Sequence, residues 1–509
     1  MTKTHKGTKL GRFSKEKRLY WERRLHEYLR PIPIEDLLVM SWTIEAMRDG
    51  RKKAARRRLD IPGGSNDHEI GGKFFIPPWS IDAVLREKLS LGPTTANTRH
   101  LNLRSWSGVV KLLNTYSGLS NIESVMDYSP SDILSAMPRL FWPQYDWQLG
   151  TSNKFRLGRA WRVYATKEGK IAFEKKHGID LETFLKLAFA LYVGSEEHPA
   201  VRPSFLSSLG VTSKQLHQMR IAIGDTFEGH QAWAKSTANP DIPRDFLRSV
   251  TKEKPIFEVP DSAGIAYVIP CRSNLLLRIT DGLYYDIVSD DDARRQSGKA
   301  FEDLSLELVR HYTGEDCCVK PEQKTTYGVS ADILVEHNES STGLIIECKI
   351  RRIPQRVLTS PDPFRDCADD FDDVVTGIVQ VWRTYHDLYE KLPMDMAGVV
   401  LQYDPWTVMG NAFIKQLFDS AHEKADRHHL PRKDRIPVAL IGHFDFETAL
   451  RNYSHHDVFE AIRDWGGEWF QGWNLSGVLK ESGKEKRPKP VFNYGESAQM
   501  AVPWWGYRD

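Results

Sequence analysis

An acidic and a basic residue end an apolar segment in the second half of the chain. The apolar residues 344–346 are followed by Glu347 and Lys349, two positions apart. Because side chains alternate across a β-strand, Glu347 and Lys349 are expected on one face, with Cys348 on the other. A buried strand rarely carries charge without a partner or a use for it. This pair is therefore the first candidate for chemistry.

A second carboxylate is expected beside the pair. Asp332 lies at the start of another apolar stretch, 15 residues before Glu347. The polar residues 338–342 and the following Gly343 suit a hairpin connection between two strands, 330–337 and 343–350. Such a hairpin would bring Asp332 towards Glu347.

Two carboxylates and a lysine at a strand end are the groups needed to hold Mg²⁺ or Mn²⁺ against a phosphodiester. Mg²⁺ prefers hard oxygen ligands, and when bound it polarises a phosphoryl oxygen and lowers the pKa of a water. Lys349 could orient or deprotonate the attacking water, or stabilise negative charge in the transition state. In the alternative interpretation Glu347 and Lys349 only pair at a sheet edge, and Asp332 caps a turn.

A helix is predicted before the hairpin. Its apolar positions recur at helical spacing, Ser297 is expected to cap it and Gly314 to end it. Glu302 then falls in the first turn, where it is either a third metal-site carboxylate or a favourable charge near the helix N-terminus.

Helices and strands are predicted to alternate after the hairpin. The pattern indicates a helix over 368–392, a strand over 397–403, a helix over 411–425, a strand over 436–441 and a helix over 446–453. This alternation predicts an α/β sandwich with partly parallel strands.

The Glu-x-Lys pattern alone has little meaning, because three further pairs of this spacing begin at Glu168, Glu174 and Glu322. Only Glu347 follows a continuous apolar strand, has an aspartate upstream at the start of another strand, and is preceded by a glutamate-bearing helix. Taken together, these features resemble the PD-(D/E)XK, or restriction-endonuclease-like, nuclease superfamily over about residues 290–450. Ala331 stands where that family has proline.

The resemblance implies specific roles for these residues. Asp332, Glu347 and Glu302 match the family's metal-binding carboxylates, and Lys349 matches its catalytic lysine. Some branches add a glutamine and a tyrosine on the following helix. Gln380 is a candidate for that glutamine and, through its side-chain amide, for nucleic-acid contact, although Tyr385 lies one residue farther from it than in that signature.

The length of 509 residues predicts two or three domains. We expect a basic tail over 1–30, a mainly α-helical recognition or interaction domain over 31–255, a mixed-sheet nuclease-like α/β domain over 256–460, and a Trp-rich extension over 461–509. Helices are predicted at 14–29, 33–48, 79–90, 103–115, 131–137, 180–193, 213–223 and 275–288, a strand at 266–270, and a linker or a domain edge at 237–263.

Composition indicates a cytoplasmic protein. No apolar run approaches the length of a membrane span, and the basic N-terminus has no apolar segment typical of a secretion signal. The five cysteines have no CxxC spacing, so we expect reduced thiols and no zinc site.

Two segments are candidates for nucleic-acid contact. Residues 1–60 contain 17 Lys and Arg against eight Asp and Glu, a net charge of +9. The densest basic run is Arg51, Lys52, Lys53, Arg56, Arg57 and Arg58. It either attracts phosphates without reading sequence or is a solvated arm.

Residues 204–220 resemble a helix-turn-helix with Gly210 in the turn. In that arrangement Lys214 and Gln215 face outward, where they could enter a major groove. An ordinary helical hairpin with Thr212 or Ser213 as N-cap is the alternative.

These patterns and the resemblance predict a Mg²⁺-dependent nuclease whose expected substrate is DNA. The resemblance allows a role in host defence or in repair and does not decide between them. The helical half would recognise the target, a protein partner or a second copy of the chain. The rival hypothesis is a catalytically silent scaffold that keeps the nuclease fold only to bind nucleic acid or protein.

Overall fold

The computed structural model describes residues 9–62, 72, 74–91, 100–126, 155–239, 242–262, 264–325, 328–352, 354, 356–357, 360, 366–392, 395–403, 411–467 and 470–494. The chain is mixed α/β, with helices filling its N-terminal half and a mixed sheet in its C-terminal half. The predicted helix at 131–137, and Trp469, Trp504 and Trp505 of the Trp-rich extension, lie outside the described residues.

Helices form most of the N-terminal half, as predicted. In chain order they are α1 (Lys9–Leu29), α2 (Ile34–Arg48), α3 (Lys52–Arg56), α4 (Pro78–Ser90), α5 (Trp106–Met126), α6 (Phe155–Tyr164), α7 (Lys167–His177), α8 (Leu181–Gly194), α9 (Pro203–Ser207), α10 (Ser213–Ile223), α11 (Phe227–Ser236) and α12 (Val250–Glu253). A 3₁₀ turn spans Arg244–Phe246.

A small sheet interrupts these helices. Its strands are β1 (Ala200–Val201), β2 (Gly224–Thr226), β3 (Ile256–Asp261) and β4 (Gly264–Val268), in the spatial order β1-β4-β3-β2. The prediction of a linker over 237–263 was therefore wrong, because this segment contains the 3₁₀ turn, α12 and β3. Its many Pro, Asp and Lys residues mark short connections between ordered elements.

The C-terminal half begins with α13 (Arg272–Arg278), α14 (Leu283–Ile287) and α15 (Asp291–Thr313). Strands and helices then follow as β5 (Cys317–Pro321), β6 (Lys324–Thr325), β7 (Gly328–Val329), β8 (Ile333–His337), β9 (Thr342–Lys349), α16 (Asp372–Leu388), β10 (Asp395–Gln402), α17 (Asn411–Arg427), β11 (Val438–Gly442), α18 (His443–Asn452), α19 (His455–Trp465) and α20 (Leu475–Glu481). Further 3₁₀ turns span Gly314–Asp316, Ala368–Phe371, Tyr389–Lys391 and Arg432–Asp434.

Among the described residues, five strands form the main sheet in the order β11-β10-β9-β8-β5. Strands β9, β10 and β11 are parallel, whereas β8 is antiparallel to both β9 and β5. The predicted hairpin of β8 and β9 and the partly parallel sheet are thus confirmed. Parallel strands β9, β10 and β11 are joined through α16 and α17, the crossover connection that parallel pairing requires.

Helices cover both faces of this sheet. Val400 of β10 faces α16, because a Cβ built on Gly377 of that helix would lie 3.2 Å from the Val400 side chain. Tyr403, just beyond β10, contacts Phe301 of α15 on the other face, at a ring-centroid distance of 5.4 Å. The parallel strands β9, β10 and β11 are buried on both faces, which explains their largely apolar sequences.

Two sequence predictions about helices near the hairpin were wrong. Helix α15 begins at Asp291, not at Ser297, because Asp290 caps it by accepting hydrogen bonds from the N–H groups of Asp292 and Ala293. Glu302 therefore lies well inside the helix and not in its first turn. The single helix predicted over 275–288 is divided into α13 and α14 by a turn at 279–282.

Two apolar clusters organise the described residues. One is built from residues 25–119 together with Ala234, Val250, Phe257 and Val268. The other extends from Leu157 to Tyr494 and includes the main sheet and the helices on both its faces. All five cysteines are free thiols. None of the described helices has the length and apolar character needed to cross a membrane.

Candidate active site at the edge of the main sheet

Strand β9 positions the side chains of Glu347 and Lys349. Residues 344–346 anchor the strand in the core, and the alternation of side chains then directs Glu347 and Lys349 to the face covered by α16. Lys349 Nζ lies 2.6 Å from Glu347 Oε1. Glu347 is only 3% exposed, so the carboxylate and the ammonium meet where water competes little with either.

The hairpin brings Asp332 to the same edge. Because Ile333 pairs with Ile346, Asp332 comes directly next to Glu347. The Cys348 N–H donates a hydrogen bond of 2.7 Å to Asp332 Oδ2. This bond fixes the carboxylate against the end of β9, so the three predicted groups are brought together.

The turn that leads to Asp332 is held by helix α16. The Ala331 N–H donates to Thr384 Oγ1 at 2.7 Å, and the Thr384 hydroxyl donates to the backbone carbonyl of Gln380 at 2.9 Å. Gln380 thus supports the position of Asp332 through its backbone. The predicted role for its amide in nucleic-acid contact remains a prediction.

Burial and mutual repulsion disfavour charge on the carboxylates. Burial, followed by the charges of Glu347 and Glu302, raises the pKa of Asp332 to about 8. Burial also raises the pKa of Glu347, although Lys349 opposes the shift. Burial alone would lower the pKa of Lys349, but Glu347 and Asp332 more than offset it and raise the pKa. A cation at this edge would relieve the repulsion between the carboxylates.

An unsatisfied acceptor supports the fit of a hard cation. Glu347 Oε2 is buried and has no hydrogen-bond partner among the residues that the structure describes, a costly arrangement unless another ligand completes it. Carboxylate oxygens from Asp332 and Glu347 are the donor type that Mg²⁺ or Mn²⁺ prefers. The residues present therefore fit a divalent cation.

Glu302 is near this site but is held by another residue. Its Oε2 accepts a hydrogen bond of 3.1 Å from Lys299 Nζ on the same helix. Its charge contributes to the raised pKa of Asp332. However, Glu302, Asp332 and Glu347 are not a trio with ligand atoms all within 4.8 Å of one another. The geometry brings Asp332 and Glu347 together, with Glu302 at the margin.

Two other acidic trios do have such spacing among the described residues, but cations already occupy them. In the first trio, Glu22 and Glu87 form ion pairs with Arg244, and His26 Nε2 lies 2.5 Å from Glu87 Oε1. The trio of His456, Asp457 and Glu460 is bound by Lys484, whose Nζ lies 2.6 Å from Glu460. Both are therefore ion-pair networks within the fold.

Two further residues at this edge, Gln402 and Gly377, were not predicted from the sequence. Gln402 ends β10 and pairs in register with Lys349, so its side chain is on the same face. It is buried, and within the described part of the chain neither its amide nitrogen nor its amide oxygen has a hydrogen-bond partner. Gly377 lies above Lys349, where an added Cβ would come within 3.1 Å of Lys349 Cε. A polar end to an apolar strand and a glycine inside a helix were the available signals.

The basic run has a partly structural role. Helix α3 spans Lys52–Arg56, with Lys53 and Arg56 exposed. Arg51 is tied down, because it donates to the Glu196 carbonyl at 2.7 Å and its guanidinium lies 5.1 Å from the Trp42 ring centroid.

The end of the run contacts the segment before β1. Arg57 forms an ion pair of 3.6 Å with Glu197, and Arg58 contacts His198. Lys52 lies at the start of α3. Nucleic-acid contact by this run remains a prediction, for which Lys53 and Arg56 are the best-placed residues.

The predicted helix-turn-helix is a pair of helices, α9 and α10, with Gly210 at φ +74° in the turn. Thr212 caps α10, and the side chain of Gln215 accepts a hydrogen bond of 2.9 Å from the Thr212 N–H in return. Gln215 is therefore engaged in capping, as the hairpin alternative expects. Lys214 is exposed.

Comparison of the chain with family models, with curated proteins and with solved structures finds no match.

Proposed function

We propose that this chain is a metal-dependent nuclease with a restriction-endonuclease-like catalytic domain that hydrolyses phosphodiester bonds, with DNA as the substrate. The observation that carries the proposal is the convergence of Asp332, Glu347 and Lys349 at one edge of the main sheet. Ligands of α/β sheets bind outside the carboxyl ends of parallel strands, and Lys349 and Gln402 end two such strands.

The chain's own residues would divide the work as follows. Asp332 and Glu347 would hold Mg²⁺ or Mn²⁺, which when bound polarises the phosphoryl oxygen and lowers the pKa of a water. Lys349, kept protonated by Glu347, would place positive charge beside the phosphate as negative charge develops. Gln402 would orient a water or a phosphate oxygen through its free amide.

A digestion panel tests this proposal. Purified protein is incubated with plasmid, linear duplex, single-stranded DNA and RNA, in Mg²⁺, in Mn²⁺ and in EDTA. We expect metal-dependent cleavage of DNA that disappears in Glu347→Gln and Asp332→Asn. Lys349→Met should slow cleavage by about 100-fold, the scale of losing one electrostatic or acid–base group.

Lys170→Met is the matched control, because Lys170 belongs to another Glu-x-Lys pair on helix α7. Its cleavage rate should equal that of the parent protein. Substrate affinity in Ca²⁺ should change little in Lys349→Met. If the parent protein cleaves none of the substrates while Lys349→Met weakens binding tenfold, the scaffold hypothesis replaces the nuclease.

A further inference from the structure

Asp332 comes just before strand β8, in a turn that leads into the main sheet. In the described sheet, pairing between β8 and β9 starts at Ile333, whose partner is Ile346. The backbone of residues 330–332 is therefore held by contacts outside the sheet ladder. These contacts bear on cation binding, because the groups behind a ligand residue fix where its oxygen atoms lie.

Contacts with two neighbouring segments hold this turn. The Ser330 N–H donates to the Gln323 carbonyl at 2.8 Å, and the Gln323 N–H donates to Ser330 Oγ at 2.9 Å. The Ala331 N–H donates to the hydroxyl of Thr384 on α16 at 2.7 Å. Ser330, Ala331 and Thr384 are all buried, so water competes little with these hydrogen bonds.

The hydroxyl of Thr384 is oriented for its contact with the turn. It donates its own proton to the carbonyl of Gln380, one helical turn earlier, at 2.9 Å. Because a hydroxyl has a single proton, its oxygen acts towards the Ala331 N–H as an acceptor. The helix thus fixes the hydroxyl, and the hydroxyl fixes the backbone of the turn.

The same face of α16 covers Lys349. Gly377 precedes Thr384 by seven residues, which is close to two helical turns, so both residues lie on one face of the helix. A Cβ added to Gly377 would come within 3.1 Å of Lys349 Cε. Helix α16 therefore contacts both the lysine and the turn that carries Asp332.

We propose that Thr384 is a positioning residue for the cation site, whose hydroxyl holds Asp332 where its carboxylate can share a divalent cation with Glu347. The inference rests on the proposed function, because it assigns a role within the same site. Cys348 holds Asp332 Oδ2 from β9, and Thr384 holds the backbone one residue before Asp332. Without the hydroxyl, the binding-competent conformation of the turn would be less populated, and the apparent affinity for the cation would fall in proportion.

Calorimetric titration of the full chain with Ca²⁺ tests the proposal without any catalytic readout. Binding at this site is the part of the signal that Glu347→Gln removes. Thr384→Val replaces the hydroxyl by a methyl group of similar size and should weaken Ca²⁺ binding about five- to tenfold, the change in affinity that corresponds to one hydrogen bond. Thr384→Ser keeps the hydroxyl and should retain the affinity of the parent protein.

Thr313→Val is the matched control. Thr313 and Thr384 are each 2% exposed, and the Thr313 hydroxyl likewise donates to a carbonyl one helical turn earlier, that of Val309, at 2.8 Å. Thr313 ends α15 shortly before β5, whose first residue pairs with His337 at the far end of β8 from Asp332. Its substitution should therefore leave the Kd for Ca²⁺ unchanged.

Ala331→Pro removes the other partner of this hydrogen bond, because proline has no N–H to donate. In the Ala331→Pro background Thr384→Val should cause no further change in the Kd, whereas a role of Thr384 within the helix alone would weaken binding as much as in the parent protein.

The proposal is overturned if Thr384→Val binds Ca²⁺ as tightly as the parent protein, or if Thr384→Ser binds it as weakly as Thr384→Val. Either result would leave the proposed nuclease standing. A parent protein that binds no Ca²⁺ at this site would overturn both proposals.

Discussion

The negative charge on Asp332 should lower the free energy of unfolding of the metal-free protein. In Asp332→Asn the amide oxygen can still accept the hydrogen bond from Cys348 N–H, so the substitution removes charge and keeps the contact. The pKa of Asp332 is raised from 3.8 to about 8, first by burial and then by Glu347 and Glu302. Between those pH values the folded state retains a proton that the unfolded state has released. Stability attributable to this group is therefore full below pH 3.8 and is lost as the pH rises towards 8.

The size of the effect follows from the shift. One pKa unit corresponds to about 1.4 kcal/mol, so a shift from 3.8 to about 8 sets an upper bound of roughly 5 to 6 kcal/mol. Part of this free energy is the repulsion between Asp332 and Glu347, which cannot be assigned to Asp332 alone. Water at the sheet edge lowers the cost of the charge further. We expect Asp332→Asn to raise the free energy of unfolding by about 1 to 3 kcal/mol at pH 8, and by less than about 0.5 kcal/mol at pH 4.

Urea unfolding in EDTA at pH 4, 6 and 8 measures the effect. Asp303→Asn is the control, because Asp303 is an exposed carboxylate on α15, where, like Glu302, it forms an ion pair with Lys299. When Ca²⁺ replaces EDTA, the free energy of unfolding of the parent protein should rise by mass action, and that of Asp332→Asn should not change. An Asp332→Asn variant less stable than the parent at pH 8, or stabilised equally by Ca²⁺, would refute the reasoning.

Three further variants separate effects on stability from effects on cleavage or binding. Gly377→Ala should gain up to about 1 kcal/mol of helix propensity, yet slow cleavage about tenfold because the new Cβ displaces Lys349; unchanged cleavage would exclude that contact as important. Gln402→Leu should raise the free energy of unfolding by about 1 kcal/mol, because it removes two unsatisfied buried groups. It should also slow cleavage about tenfold. A lower free energy of unfolding in this variant would contradict the argument from burial. Replacing both Lys53 and Arg56 by Ala should reduce the slope of log K for DNA binding against log salt concentration by about 1 to 2. The cleavage rate of bound substrate should not change. An unchanged slope would identify the basic run as a solvated arm.

Local patterns predicted which residues meet at the sheet edge, because these residues are close in sequence. Alternation placed Glu347 and Lys349 on one face, and the hairpin set the register that brings Asp332 beside them. Gln402 escaped prediction because it comes to Lys349 through pairing of parallel strands some fifty residues apart. Nothing in the strand's own sequence specifies that register.

Tertiary contacts also give single residues roles that the sequence alone does not predict. Ser297 has the character of a helix cap, but Asp290 is an earlier and stronger one, and α15 therefore starts before the apolar pattern becomes obvious. Arg51 belongs to a basic run in sequence, yet Trp42 and the Glu196 carbonyl hold it in place. Charge counted along a chain does not reveal which cations the fold has already used.

The polar groups at the ends of β9 and β10 are best explained together. Apolar side chains there would extend a core that is otherwise continuous from α15 to α16, and they would avoid the cost of buried carboxylates and an unsatisfied amide. The chain instead places Glu347, Lys349 and Gln402 on one face, with Asp332 beside them and Gly377 leaving space above. A single cost of this kind could be an accident of packing. The proposed metal-binding site would account for several such costs at one edge, because a bound cation would recover the stability that these groups cost the protein.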